Sequence, residues 1–193
     1  MFGKRTNEVP VAITLEFTPN PNTLKFMVNR QLLSQGAANF TSLTAAEKSL
    51  LAQKLFAVPG VAAVLIGTGF VTITKAENGE WDILAEKVPQ AIEAHINSGD
   101  PTVNSDWKDE HHRPAGTEVE IENRIREVLD KDIRPAVAMD GGDITFSRYE
   151  EGVVYLHLQG ACSSCPSSTA TLKMGVENRL KDQIPEIKEV VQI

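Results

Sequence analysis

The 193-residue sequence contains two cysteines, Cys162 and Cys165, and only two residues separate them. This spacing is too short for a framework disulfide and is typical of metal ligation or redox chemistry. The pair lies in the segment Gly160-Ala-Cys-Ser-Ser-Cys-Pro-Ser-Ser168, between a predicted strand and a predicted helix. Because the thiolate is both the metal ligand and the nucleophile of cysteine, this loop is the first candidate site.

The position of the pair before a helix favours ionised sulfur. Pro166 suits the first helical position, where no backbone N–H is needed, and this places Cys165 at the N-terminal cap. Unpaired amide donors and the positive end of the helix dipole stabilise a thiolate there. We therefore expect both sulfurs to lie on one exposed loop.

Three chemistries use such a pair. An iron-sulfur cluster usually takes four cysteine thiolates, so this chain would need a second protomer or an outside thiol. A structural zinc also needs four ligands, and none of the histidines stands at the close spacing of a zinc finger. A redox dithiol would use Cys162 and Cys165 as attacking and resolving thiols without a metal. The residues alone leave these three readings open, together with inert thiols.

The elements around the cysteines predict an α-β-β-α-β order for the C-terminal part. Apolar periodicity predicts a helix from Thr117 that ends at Pro135 and a second helix at 166–184. The predicted strands are 144–149, 153–159 and 187–191. Before the first of these strands, Asp140-Gly-Gly-Asp143 is predicted to be a turn with positive φ rather than a set of metal ligands.

The N-terminal part has the pattern of a separate α+β unit. Predicted strands cover 12–17, 24–28, 61–66 and 70–75. One helix is predicted from a capping box at Thr44 to Pro59-Gly60, and a second helix carries Leu84, Val88 and Ile92 on one face.

The polar segment 97–116 divides the chain. It contains few large apolar residues and cannot bury enough surface to fold alone, so we predict a flexible linker. The fold class is α+β, with two small α/β-type domains at residues 1–96 and 117–193.

Charge and hydropathy exclude some classes of partner. The net charge of −7 and the absence of a basic face make nucleic acid an unsuitable partner. No stretch of about 18 apolar residues is present, so no membrane insertion is predicted. The N-terminus has no secretory signal, which predicts a reducing compartment. The lack of an Arg- and Ser-rich leader predicts a bacterial cytoplasm; a mitochondrial matrix protein without its leader would look the same.

Two groups of motifs resemble one known family. Asp140-Gly-Gly-Asp143 followed by Gly160-Ala-Cys-Ser-Ser-Cys-Pro-Ser-Ser168 resembles the C-terminal domain of NifU and the Nfu proteins. The segments Thr18-Pro-Asn-Pro-Asn-Thr-Leu-Lys-Phe26, Pro59-Gly-Val61 and Phe70-Val-Thr-Ile-Thr-Lys75 resemble the Nfu N-terminal domain. The resemblance spans nearly the whole chain.

The resemblance implies a non-enzymatic carrier. In this family the cysteine pair bridges a 4Fe-4S cluster across a homodimer, which assigns the cluster ligands to Cys162 and Cys165; a 2Fe-2S form is also open. It further implies cluster-donor assembly proteins and apo iron-sulfur enzymes as partners, with the N-terminal domain docking targets. A CxxC dithiol-disulfide oxidoreductase is the alternative from another functional class.

Overall fold

Two separate β-sheets, each with its own helices and apolar core, form the part of the chain that the structure describes. The structure is a computed structural model and describes residues 9–105, 107, 120–163 and 169–193. The mixed architecture confirms the predicted α+β class.

Five antiparallel strands build the first sheet, in the order β1-β2-β5-β4-β3. These strands are Ile13–Phe17 (β1), Thr23–Val28 (β2), Ala38–Phe40 (β3), Val61–Ile66 (β4) and Phe70–Lys75 (β5). All except β3 were predicted from the alternation of apolar residues. Strand β3 is too short to show an alternating pattern, and its pairing with β4 places it in the sheet.

The helices of the first unit are α1 at Leu50–Phe56 and α2 at Trp81–Ser98, and a 3-10 turn at Ala45–Lys48 precedes α1. The predicted capping box at Thr44 is wrong. Thr44 already has helical dihedral angles and its side chain makes no capping hydrogen bond. Ser49 is the cap instead, because its extended backbone lets Oγ accept from the Ala52 N–H at 3.0 Å.

A buried histidine lies near the C-terminal end of α2. His95 is 1% exposed, its Nδ1 is 3.3 Å from Lys54 Nζ, and its Nε2 has no hydrogen-bond partner among the described residues. Burial first, and then the charge of Lys54, lower the pKa of His95 below its ordinary value of 6.5. The fold therefore favours the neutral imidazole.

This lowered pKa predicts a loss of stability in mild acid. Unfolded His95 takes up a proton near pH 6.5, while folded His95 resists protonation to a lower pH. The stability that neutral His95 contributes to the fold is therefore complete above about pH 6.5. It is lost as the pH falls from there to the lower pKa of the folded state. Urea midpoints measured from pH 7.5 to 5 are expected to fall more steeply for the wild type than for His95→Gln. Parallel pH profiles would contradict the assignment.

The segment after α2 begins as part of the first unit. Helix α2 continues through Ser98, past the predicted start of the 97–116 linker. The Ser49 hydroxyl donates to the Thr102 carbonyl oxygen at 2.6 Å, and Val103 and Trp107 pack against the first apolar core. The predicted division at 1–96, 97–116 and 117–193 stays a prediction, but the start of the linker is tied to the N-terminal sheet.

The second sheet has three strands in the order β6-β7-β8. They are Gly142–Glu150 (β6), Val153–Gly160 (β7) and Glu189–Gln192 (β8). Strand β6 is antiparallel to β7, whereas β7 and β8 are parallel and joined through a helical crossover. Within the described residues, the predicted α-β-β-α-β order is observed.

The helices of the second unit are α3 at Glu120–Val128, α4 at Arg134–Met139 and α5 at Thr169–Gln183, and a π-helical segment at Leu129–Ile133 joins α3 to α4. The prediction that Pro135 ends the first helix is wrong. Pro135 stands in the first turn of α4, where the missing N–H costs little, and the π-helical segment absorbs the change. No helix in the described ranges has the length and apolar content to cross a membrane.

Candidate functional site

Cys162 lies in a tight turn directly after β7. Gly160 ends that strand with φ +61, and the Ala161 N–H donates to the Gly141 carbonyl oxygen at 3.2 Å. The Ser163 backbone N–H and hydroxyl both donate to the Gly160 carbonyl oxygen, at 3.2 and 2.9 Å. These bonds hold the first half of the cysteine loop against the start of β6.

The Cys162 side chain points into its own domain. It is 6% exposed and belongs to the second apolar core. Its Sγ lies so close to Gly142 that a Cβ on that glycine would overlap it. The expectation of an exposed thiol is therefore wrong for Cys162, because the turn after Gly160 directs the sulfur inward.

Cys165 lies outside the described residues, together with the rest of 164–168. The predicted cap position of Cys165 and the role of Pro166 stay predictions. The structure locates the sulfur of Cys162 before these residues and the beginning of α5 at Thr169 after them.

The turn Asp140-Gly-Gly-Asp143 contacts the cysteine loop through Gly141, which accepts the hydrogen bond from Ala161. Gly141 has φ +78, as the sequence predicts for a turn. Asp143 is buried and accepts two hydrogen bonds from Arg134, Nε to Oδ1 and Nη2 to Oδ2, both 2.8 Å. Arg134 Nη1 also donates to Asp130 Oδ1 at 3.1 Å. The last carboxylate of the motif thus anchors β6 to the helical layer.

Residues of the N-terminal unit reach the same turn. Asn20 Nδ2 donates to the Ala161 carbonyl oxygen at 3.0 Å, and Lys25 Nζ donates to the Met139 carbonyl oxygen at 3.1 Å. Neither contact was predicted from the sequence, in which Asn20 only lies between the predicted strands 12–17 and 24–28. No local signal marks them, since the partners are backbone atoms of a distant segment.

Among the described residues, no group of three or more His, Cys, Asp or Glu side chains is arranged to bind a metal ion. His95 lies beside Lys54, and His157 Nδ1 is 3.0 Å from the Ile193 carbonyl oxygen. The cysteine pair therefore stays the candidate for metal chemistry.

Family comparisons agree with both halves of the chain. Residues 125–191 match the NifU-like domain, and residues 13–99 match the N-terminal domain described as scaffold protein Nfu/NifU. A relative from Drosophila persimilis is 44% identical over 198 residues, covering 100% of this chain and 67% of the relative. The chain belongs to the Nfu/NifU family.

Curated relatives of this family member are longer than the chain. The Drosophila persimilis protein is named NFU1 iron-sulfur cluster scaffold homolog, mitochondrial. A protein of the same name from Drosophila grimshawi is 46% identical, and the match covers 94% of this chain and 61% of that protein. A solved NifU-like protein from Saccharomyces cerevisiae aligns with TM-score 0.46 and 23% identity, covering 55% of this chain and 95% of that one.

The names of the relatives correct one prediction. The sequence was read as that of a bacterial cytoplasmic protein, with a mitochondrial matrix protein as the variant without its leader. The relatives are named mitochondrial, which points away from a bacterial cytoplasm. An N-terminus without a leader pattern is a weak signal, because it does not distinguish the two compartments.

Proposed function

We propose that this protein is an iron-sulfur cluster scaffold that carries a 4Fe-4S cluster as cargo between two protomers and transfers it to apoproteins. The observation that carries the proposal is that the only two cysteines of the chain form one pair, within the segment that matches the NifU-like domain. Thiolate sulfur is the usual ligand of such clusters. Assembly proteins that supply clusters and apo iron-sulfur enzymes that receive them are the corresponding partners, and the mitochondrion is the corresponding compartment.

The donor set fits half of a cluster. A cuboidal 4Fe-4S cluster usually takes four thiolates, and one chain supplies Cys162 and Cys165. A symmetric dimer doubles this set with the same residues from each chain. The chemistry of the protein is then ligation and release, and no group of the chain needs to act as a catalytic acid or base.

Ligation also requires a change in the cysteine loop. The Cys162 sulfur packs against Gly142 inside the second core, so it must turn outward before iron can reach it. The loop has no second ligand pair to enclose the cluster within one chain. A target that offers a complete set of thiolates can therefore accept the cluster by ligand exchange.

Cluster binding and dimerisation are expected to be linked. A ligand bound only by the dimer stabilises that dimer by mass action. After anaerobic reconstitution, sedimentation at matched protein concentration should show a larger dimer fraction for the loaded protein than for the apo protein. Iron and inorganic sulfide should be present in near-equal amounts and should sediment with the dimer.

The same preparation separates the proposal from dithiol chemistry. A colourless monomer that reduces insulin disulfides would support an oxidoreductase that uses Cys162 and Cys165 as a redox pair. Equal dimer fractions with and without iron would argue against a cluster shared between protomers.

A further inference from the structure

The second face of the N-terminal sheet is polar in sequence but buried in the structure. In β2 the apolar Leu24 and Phe26 face the first core, and Thr23 and Lys25 alternate with them on the opposite face. Such alternation is typical of a sheet with one solvated face. Yet Thr23 is 2% exposed and Lys25 is 5% exposed. Another part of the chain must therefore cover this face.

The cover is the cysteine end of the second unit. Asn20 and Lys25 bind the carbonyl oxygens of Ala161 and Met139, on the two sides of the Asp140–Asp143 turn. A Cβ on Gly141 would lie 2.9 Å from Thr72 Oγ1, which places that turn directly on β5.

Strand β4 extends the same contact. A Cβ on Gly160 would lie 2.5 Å from Leu65 Cδ2. Leu65 is 1% exposed although it lies outside the first core, so its burial comes from the second unit.

Some buried polar groups of this interface lack full hydrogen bonding. Thr72 is 1% exposed, and its hydroxyl has no hydrogen-bond partner among the described residues. A buried polar atom without a partner loses hydration and gains nothing in return. The Lys25 ammonium loses most of its hydration, which its bond to Met139 and its 3.2 Å ion pair with Glu16 partly replace. Both side chains would be hydrated if the units separated, so the docked arrangement is weakly stabilised.

We propose that the surface formed by Asn20, Lys25, Leu65 and Thr72 is a reversible docking surface for the cysteine end of the same chain. Docking holds the carbonyl oxygen of Ala161, the residue before Cys162, and so restrains the turn that keeps the Cys162 sulfur against Gly142. Separation of the two units frees the loop so that the sulfur can leave its position against Gly142. The proposal concerns the apo protein; only its consequence for cluster loading rests on the proposed function.

The reactivity of the Cys162 thiol measures how often the cysteine loop is released, and separation of the two units should increase that release. When docking and separation are fast, the rate of alkylation is proportional to the population in which the thiol is accessible. The experiment uses the full chain in a Cys165→Ser background, so that Cys162 alone reacts with N-ethylmaleimide, and mass spectrometry follows the rate.

Asn20→Asp is the most specific disruption. The carboxylate keeps the oxygen that accepts from the Asn22 N–H at 3.0 Å, so the turn in the N-terminal unit is retained. It removes the amide donor to Ala161 and places a negative charge opposite that carbonyl oxygen. We expect alkylation of Cys162 to become at least fivefold faster, about the effect of one lost hydrogen bond.

Asn104→Asp is the matched control. Asn104 Nδ2 donates to the Glu47 carbonyl oxygen at 3.1 Å, which is the same kind of bond but lies wholly within the N-terminal unit. This variant should alkylate at the wild-type rate. A rate for Asn20→Asp that is also unchanged, in protein with wild-type circular dichroism, would overturn the docking proposal.

Thr72→Val tests the interface in the opposite direction. Valine keeps the shape and removes the unpaired hydroxyl, so docking should strengthen and alkylation should become about fivefold slower. Slower reaction cannot arise from misfolding, since unfolding would expose the thiol. Acceleration or no change in Thr72→Val would contradict the proposal.

Cluster loading, measured with both cysteines intact, distinguishes this inference from the proposed function. Initial iron uptake should be faster in Asn20→Asp and slower in Thr72→Val, with equal final iron. If the alkylation rates follow the predicted order but the loading rates are equal, docking does not control loading. If no variant and no wild-type protein takes up a cluster, the scaffold function fails while the alkylation rates still decide docking.

Discussion

Replacing either Cys162 or Cys165 is expected to reduce the iron retained after anaerobic reconstitution to the level of a cysteine-free control. A symmetric dimer doubles every substitution, so each single variant removes two of the usual four thiolates of a bridging cluster. The cluster would then lose half of its protein ligands, and the chain has no further cysteine to replace them. Iron per dimer after desalting is the measurement.

The choice of substitution matters at Cys162. Because this side chain is 6% exposed and belongs to the second core, serine there would bury a hydroxyl. Cys162→Ala avoids that penalty and should lose iron equally while keeping the wild-type circular dichroism. Ser163→Ala is the loop control, because it removes only the hydroxyl bond to Gly160. Wild-type iron content in a Cys162 or Cys165 variant would refute the ligand assignment.

The strands of both sheets other than β3 could be predicted, because their apolar residues form short runs or repeat every second residue. Strands Val61–Ile66 and Phe70–Lys75 have the predicted limits, with Gly67-Thr-Gly69 as the turn between them. The hydrogen bond from the Gly67 N–H to the Phe70 carbonyl oxygen, at 2.8 Å, closes that turn. Local sequence is sufficient where the local pattern and the tertiary packing agree.

The errors occurred where tertiary packing overrides local signals. Thr44 and Ser49 both have the side-chain chemistry of a cap, and only the backbone angles show that Ser49 performs it. Pro135 was read as a helix end, but a π-helical segment lets the chain continue into α4. Residue type alone predicts neither the capping residue nor the helix end, because both depend on the conformation of the preceding backbone turn.

The residues of the candidate site could be predicted from the sequence, but their burial and contacts could not. Spacing marked Cys162, and the Gly-Gly pair marked a turn, but the sequence gives no sign that the sulfur packs on Gly142. The burial of Thr72 and Lys25 was equally hidden, since polar alternation predicts solvent on that face. Contacts between distant segments leave no periodic signal, and their partners here are largely backbone atoms.

Removing Arg134 from its ion pair with Asp143 is expected to destabilise the C-terminal unit by about 3–5 kcal/mol, the usual cost of leaving one buried charge without its partner. The side chains of Arg134 and Asp143 are 10% and 5% exposed, and two 2.8 Å hydrogen bonds join them. Arg134→Met should therefore lower the free energy of unfolding strongly, as measured by urea denaturation. Asp143→Val should lower it less, because Arg134 keeps its hydrogen bond to Asp130. Glu127→Gln, which breaks a pair on the exposed surface, should leave the midpoint unchanged.

The double variant Arg134→Met/Asp143→Val shows whether the pair contributes stability or only avoids an unpaired charge. Burying two charges costs hydration that their attraction largely offsets, so apolar side chains of similar size can replace a buried pair with little loss. Valine also suits a strand position, which Asp143 occupies in β6. We expect the double variant to recover most of the stability lost in Arg134→Met. A loss equal to the sum of the single losses would mean that Arg134 and Asp143 act independently, and that the last carboxylate of the Asp140–Asp143 turn does not hold β6 through Arg134.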